Sequence, residues 1–155
     1  MAAPHYTYSC QLWLPLPPEK VFPFFSDAFN LARITPPELA FNVLTKPPID
    51  LRPGCLIDYR VRWLGFPLRW TTRIEAFDPP HYFIDAQIRG PYSLWHHEHT
   101  FAAHNGGTAV GDTVQYRLPF GPVGRLTHTL LVRRQVEAIF TYRQQKIREL
   151  LVAPS

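Results

Sequence analysis

Cysteine is scarce in this chain: two in 155 residues, Cys10 and Cys55, with no CxxC pair and no Cys/His zinc spacing. At most one disulfide is available, and two free thiols are the expectation. Charge is sparse as well. Charged residues make up 18% of the chain and hydrophobic ones 46%, which excludes the composition of a disordered segment. No apolar run approaches ~20 residues, so no membrane-spanning helix is expected. The opening MAAPHYTYSC has neither the basic stretch nor the apolar core of a secretory signal, and the cytoplasm is the expected location. Phosphate-loop, GxSxG, HExxH and dinucleotide-glycine patterns are all missing. No cofactor and no metal are therefore assigned.

What the chain does have is length, aromatics and proline. Its 155 residues suffice for one domain, 1–155, with a real core. Aromatics reach 14%, enough to fill a core or to line a cavity. The net charge of +4 comes mainly from arginine. It permits an acidic ligand or nucleic acid but requires neither; a solvated basic face is the plainer expectation.

The longest regular pattern runs from Val123 to Leu151, with no proline and no glycine after Gly124. Val132, Val136, Ile139, Phe140, Ile147, Leu150 and Leu151 recur at helical spacing, opposite a polar face with Arg134, Glu137, Gln145 and Arg148. A one-faced helix on the order of 40 Å long needs a broad apolar surface to lie on. The preceding segments supply it. His5–Leu14 alternates like a strand. Pro18 and Glu19 open a short helix that Pro23 limits, and Asp27 caps a second, Ala28–Ile34. Leu39–Leu44 reads as an edge strand before the loop Lys46–Pro53. Strands follow at Leu56–Trp63, Leu68–Phe77, Tyr82–Arg89, Ser93–His104 and Ala109–Leu118, with turns marked by Gly, Pro and Asn-Gly.

Turn positions set register. With Asn105-Gly106 as a two-residue turn, Phe101 faces Val110, His99 faces Asp112, His97 faces Val114 and Trp95 faces Tyr116. With Gly65-Phe66 as another, Trp63 faces Leu68, Val61 faces Trp70, Tyr59 faces Thr72 and Ile57 faces Ile74. Arg60, Arg62, Arg69 and Arg73 share the opposite, charged face. Taking Gly90-Pro91 as a third turn adds Tyr82, Ile84, Ala86 and Ile88 to the inner side and sends Asp85, Gln87 and Arg89 outward. A one-residue bulge would reverse that last assignment.

Two histidines and an aspartate thus fall among aromatics on the face the long helix covers. A buried carboxylate without a partner costs several kcal/mol, so Asp112 should hold a bond, and His99 lies opposite. Arg143 falls inside the apolar stripe of the helix, as does Thr129. An arginine fork there requires an acceptor or a wet hollow. The candidate ligand-binding set is Tyr59, Trp70, Tyr82, Trp95, His97, His99, Asp112, Tyr116 and Arg143; no catalytic residue is assigned. Each also has a plainer reading: a satisfied cross-strand His–Asp pair, core aromatics, an arginine reaching the rim.

One strand, two small helices, six strands and a long final helix is an α+β order. With the stretches Asn30–Pro37 (NLARITPP), Gly90–His99 (GPYSLWHHEH) and Val132-Arg133-Arg134 through Ile139-Phe140, it resembles the SRPBCC, or START-like, superfamily. That group includes the major birch pollen allergen, polyketide cyclase/dehydrases and coenzyme Q-binding proteins. The chain is most similar to a bacterial branch of small stand-alone ligand-binding members. The resemblance implies the helix-grip fold: a seven-stranded antiparallel sheet wrapped around the C-terminal helix, with two short helices between strands 1 and 2. It also implies a hydrophobic cavity for a lipid, isoprenoid or polyketide-like molecule. It carries over no catalytic residue set.

Three functions compete on this evidence. A carrier or sensor would bury an apolar body and orient its polar end with His97, His99, Asp112 and Arg143. A cyclase, dehydratase or isomerase would use a His–Asp pair as base and Arg143 to stabilise an enolate. His97, His99 and Asp112 on one face would also suit a metal. A docking module would present Arg60, Arg62, Arg69 and Arg73 to RNA or a ribosome; DNA is not expected.

Overall fold

A computed structural model describes residues 5–152. The elements are β1 (Tyr6–Leu14), α1 (Pro18–Phe25), α2 (Ala28–Arg33), a single 3-10 turn (Pro37–Leu39), β2 (Asn42–Val43), β3 (Leu56–Trp63), β4 (Phe66–Asp78), β5 (Tyr82–Arg89), β6 (Leu94–His104) and β7 (Gly107–Arg117). A long helix follows in three parts: α3 (Gly121–Thr127), a π turn (His128–Val132) and α4 (Arg133–Leu151). The seven strands form one antiparallel sheet in the order β1-β7-β6-β5-β4-β3-β2. This is the helix-grip arrangement.

Local chemistry explains the small helices. Pro17 and Pro18 sit at the start of α1, Glu19 lies in its positive first turn, and Pro23 stands inside its eight residues. The Asp27 side chain accepts from the Phe29 amide at 2.9 Å and caps α2. Val21 and Phe22 of α1 then close one end of the core against Leu12, Leu14, Phe83, Phe101, Val110 and Ile147. At the other end Val132, Val136 and Phe140 pack on Tyr92, Val114 and Tyr116. The spacing of Val132, Val136, Phe140, Arg143 and Ile147 is the buried stripe of the helix.

Four expectations need correction, and three of them leave the candidate site unchanged. The edge strand contracts to Asn42–Val43, because Pro36 and Pro37 lead into a 3-10 turn closed by Ala40 in the left-handed region (φ 45°). The β3–β4 turn is Leu64-Gly65, with φ 47° and 84°, not Gly65-Phe66. Trp63 therefore pairs with Phe66, Val61 with Leu68 and Tyr59 with Trp70, two residues from the expected register. A slip of two preserves every face, since side chains alternate with period two. Thr129 lies in solvent, its hydroxyl donating to the Arg125 carbonyl at 3.1 Å. The wide π turn rotates the chain so that His128 is buried in its stead.

The consequential correction concerns β5. It pairs with β6 as Phe83↔His99 and Asp85↔His97, one residue from the register that a Gly90-Pro91 turn implies. A slip of one exchanges the faces. Phe83 and Asp85 point inward and Tyr82 outward, 37% exposed, so Tyr82 leaves the candidate site. The connection is four residues, Gly90–Ser93, held by Gln87: its amide nitrogen donates to the Tyr92 carbonyl (2.7 Å) and its amide oxygen accepts from the Tyr92 N–H (3.1 Å). A Cβ on Gly90 would stand 2.5 Å from that amide oxygen, so a glycine fits there without displacing the clamp.

Candidate functional site

Between the sheet and α4 lies a cavity of about 160 Å³. Its wall is mostly apolar. Tyr59, Trp63, Trp70, Tyr92 and Trp95 line one part, and Phe24, Phe25 and Leu31 of the small helices another. The aromatic rings pack edge to face: Trp70 on Trp95 at 5.3 Å and Trp70 on Tyr92 at 5.7 Å between centroids. Two of the indoles spend their N–H internally, Trp70 Nε1–H on the Thr72 hydroxyl (3.1 Å) and Trp63 Nε1–H on the Tyr92 hydroxyl (3.3 Å). Trp63 and Trp70 therefore offer a ligand their ring surface rather than a hydrogen bond.

One side of the wall is ionisable. His97 and His99, two apart on β6, share the inward face; Asp85 reaches them from β5 and Asp112 from β7. His97 Nε2 lies 2.7 Å from Asp112 Oδ1, and His99 Nε2 lies 2.6 Å from Asp85 Oδ2. His97 Nδ1 is 3.9 Å from the same Asp85 oxygen. His99 Nδ1 is 3.3 Å from Asp112 Oδ1, off the line of a hydrogen bond, and is buried without a partner among the described residues. Phe83 stacks on His99 at 4.1 Å, and the two imidazole centroids are 3.7 Å apart.

The charges sort themselves by environment. Burial alone would lower the pKa of His99, but Asp112 and Asp85 outweigh it and push it up to about 9. Burial, reinforced by the charge on His99, holds His97 below the usual imidazole range. Burial alone would raise both carboxyls; the bonds and charges of the two histidines keep Asp85 and Asp112 below the usual carboxylate range. At neutral pH His99 is an imidazolium and His97 is neutral. His97 donates its Nε2–H to Asp112 and keeps an Nδ1 lone pair.

Arg143 enters from α4, also buried. Its Cζ stands 4.9 Å from the Phe140 ring centroid, and its Nε has no hydrogen-bond partner among the described residues. Burial depresses its pKa, and the fields of Asp112 and Asp85 offset part of that.

Of the nine residues named from the sequence, Tyr59, Trp70, Trp95, His97, His99 and Arg143 line the cavity. Asp112 lies behind the histidines and orients His97. Tyr116 is packed in the core beside Tyr92 and Trp95, outside the lining, its hydroxyl 2.8 Å from His128 Nε2. Tyr82 is on the outer face. Trp63, expected on the inner face but outside the candidate set, joins the lining, as do Asp85, Tyr92 and Gln135, which were not foreseen. Asp85 had one legible signal: two inward histidines and a single inward carboxylate leave an imidazole short of a partner. On the outer face Arg69 is paired with Asp58 and Arg73 with Glu75, both at 2.7 Å, so two of the four arginines expected there have an acidic partner. Among the described residues no helix is long and apolar enough to cross a membrane.

The family model described as polyketide cyclase/dehydrase and lipid transport matches residues 14–140. No curated protein matches the chain by sequence. Solved structures share the fold at low identity. A protein of Chromobacterium violaceum is 16% identical with a TM-score of 0.71, over 96% of this chain and 99% of that one. The Zhui aromatase/cyclase of a Streptomyces species is 14% identical with a TM-score of 0.66, over 97% and 99%. The ginseng major latex-like protein of Panax ginseng is 10% identical with a TM-score of 0.64, over 96% and 99%.

Proposed function

We propose that this chain, which belongs to the polyketide cyclase/dehydrase and lipid transport family, is a carrier or sensor for a compact apolar molecule with one anionic or oxygen-bearing end. It acts as one ligand-binding domain over its length, and the free thiols of Cys10 and Cys55 accord with a cytoplasmic location. The body of the ligand lies against Tyr59, Trp70 and Trp95, and its end meets Arg143 and His99. The observation that carries this reading is Arg143: a buried guanidinium with an unpartnered Nε on the wall of an apolar hollow. A cavity of this size takes roughly one or two fused rings or a short branched chain. Among the candidate cargoes, that favours an isoprenoid- or polyketide-like body over a two-tailed lipid.

The test is a matched pair of probes, naphthoate and naphthalene. Naphthoate should bind at least about tenfold more tightly, the worth of one charge-assisted bond. The preference should vanish in Arg143→Met. Equal binding of both probes by the unaltered protein would overturn the assignment.

A second reading is favoured by His97, which is neutral, fixed by Asp112 and left with a lone pair. That is the arrangement of a general base. A cyclase or dehydratase acting here would lose turnover in His97→Gln while keeping its affinity for naphthoate.

A further inference from the structure

The ionisable side of the cavity has more than a ligand's polar end requires. One oxygen needs one or two donors; here two imidazoles and two carboxylates converge from three adjacent strands. Asp85, His97 and His99 each bring a donor atom to within 4.8 Å of the other two. The antiparallel ladder produces this directly. Residues i and i+2 of β6 point the same way, and the cross-strand partner of His97 is Asp85. Three donors at the corners of one triangle leave the opposite side open, toward the hollow.

We propose that Asp85, His97 and His99 bind a divalent first-row transition metal ion, with its remaining coordination positions facing the cavity. Two imidazoles and one carboxylate are the donor set that such ions take with positions left open. The carboxylate is Asp85, not the Asp112 that the strand pattern suggested. Asp112 has a different part. Its Oδ1 accepts from His97 Nε2 at 2.7 Å, which fixes the tautomer and turns the Nδ1 lone pair toward Asp85. Metal-bound histidines characteristically make this outer bond to a carboxylate.

The independent observation is His99 Nδ1, buried and without a hydrogen-bond partner, 3.3 Å from that same Asp112 oxygen. A small turn of the ring, with Nε2 releasing its proton to solvent as it passes from Asp85 to the metal, leaves a neutral imidazole and brings Nδ1–H onto Asp112. Both histidines then have one nitrogen on the ion and one on Asp112. Arg143 lines the same hollow, so a ligand atom between cation and guanidinium has to be anionic: a carboxylate or an enolate-type oxygen. That last step rests on the cargo reading above; the metal site itself does not.

The probe is Co²⁺ alone, added to chelator-stripped protein. Absorption in the visible should rise to one equivalent per chain and collapse on addition of Zn²⁺. His97→Gln, His99→Gln and the isosteric Asp85→Asn should each abolish the one-equivalent band. Asp112→Asn should keep the stoichiometry and weaken affinity about 10–100-fold. His81→Gln and His104→Gln, both on exposed positions, should change nothing. A protein with no visible band, or one whose band survives Asp85→Asn and His99→Gln, refutes the site. Circular dichroism verifies folding of each variant, and Asp85→Asn alters no volume should a histidine variant fail to fold. Naphthoate binding to the chelator-stripped protein reports on the cargo reading alone, so the two failures are distinguishable.

Discussion

Two parts of the cavity wall carry buried charge in opposite ways. On the sheet, Asp85, His97, His99 and Asp112 bond to each other, and each imidazole has its Nε2 on a carboxylate. On the helix, Arg143 has a ring beneath it and an unspent Nε. Without a metal the first group is held by bonds among its own members; the second has none among the described residues. Burial penalises both, and the difference lies in the compensating bonds: neighbouring strands supply them in one case, and in the other the fold leaves them to a ligand under the proposed function. A contact that is satisfied within the fold speaks of stability, and one that is not speaks of binding.

The contrast is broken most sharply at Asp112. Asp112→Ala removes the acceptor behind both histidines and leaves the charged His99 with one carboxylate. Chemical denaturation should show a loss of about 3–5 kcal/mol. A loss under about 1 kcal/mol would mean the four residues do not act as a unit.

The next effect is one of pH, in chelator-stripped protein. His99 has a folded pKa of about 9, above the ordinary imidazole value of 6.5. Its contribution is therefore fully present below pH ~6.5 and is lost as pH rises through about 9. The change is on the order of 3 kcal/mol. His97, held low, acts in the other direction and subtracts stability as pH falls below ~6.5. Asp85 and Asp112 contribute above the ordinary carboxylate value and lose that contribution as pH falls below it. Urea unfolding from pH 6 to 10 should trace the alkaline limb, and His99→Gln should flatten it.

Gln87→Ala comes third. It removes two bonds to the Tyr92 backbone that hold the connection between β5 and β6. A drop of about 1–2 kcal/mol in urea unfolding is expected. Unchanged stability would show that the loop holds Asp85 inward without its clamp.

The smallest effect on stability belongs to Arg143→Met, at most about 1 kcal/mol, since an apolar chain of similar length replaces a donor with nothing to give up. Its effect on naphthoate binding should be the larger one. If this variant unfolds as easily as Asp112→Ala, the two walls are alike and the contrast fails.

Much of this was legible from residues alone, and the exceptions have causes. Asn105-Gly106 announces its turn because both residues accept positive φ (49° and 76°), and the register of His97, His99 and Asp112 followed from it. Leu64-Gly65 does not announce itself, because leucine seldom adopts φ 47°; the error was two residues and harmless to the faces. Gly90–Ser93 misled by one residue. The Ile84, Ala86, Ile88 alternation looks as apolar as an inner face should, and nothing local shows that Phe83 and Asp85 have the better partners.

The chain by itself determined the element order, the gripped helix with Arg143 in its buried stripe, and the placing of two histidines opposite an aspartate. All of these follow from periodicity and turn chemistry, which act between near neighbours. Tertiary structure alone decided the side Asp85 takes, the burial of His128 by the π turn, and the size of the hollow. Each of those depends on which distant surfaces meet, and a shift of a single residue in a strand or helix is too small a change for local preference to resist.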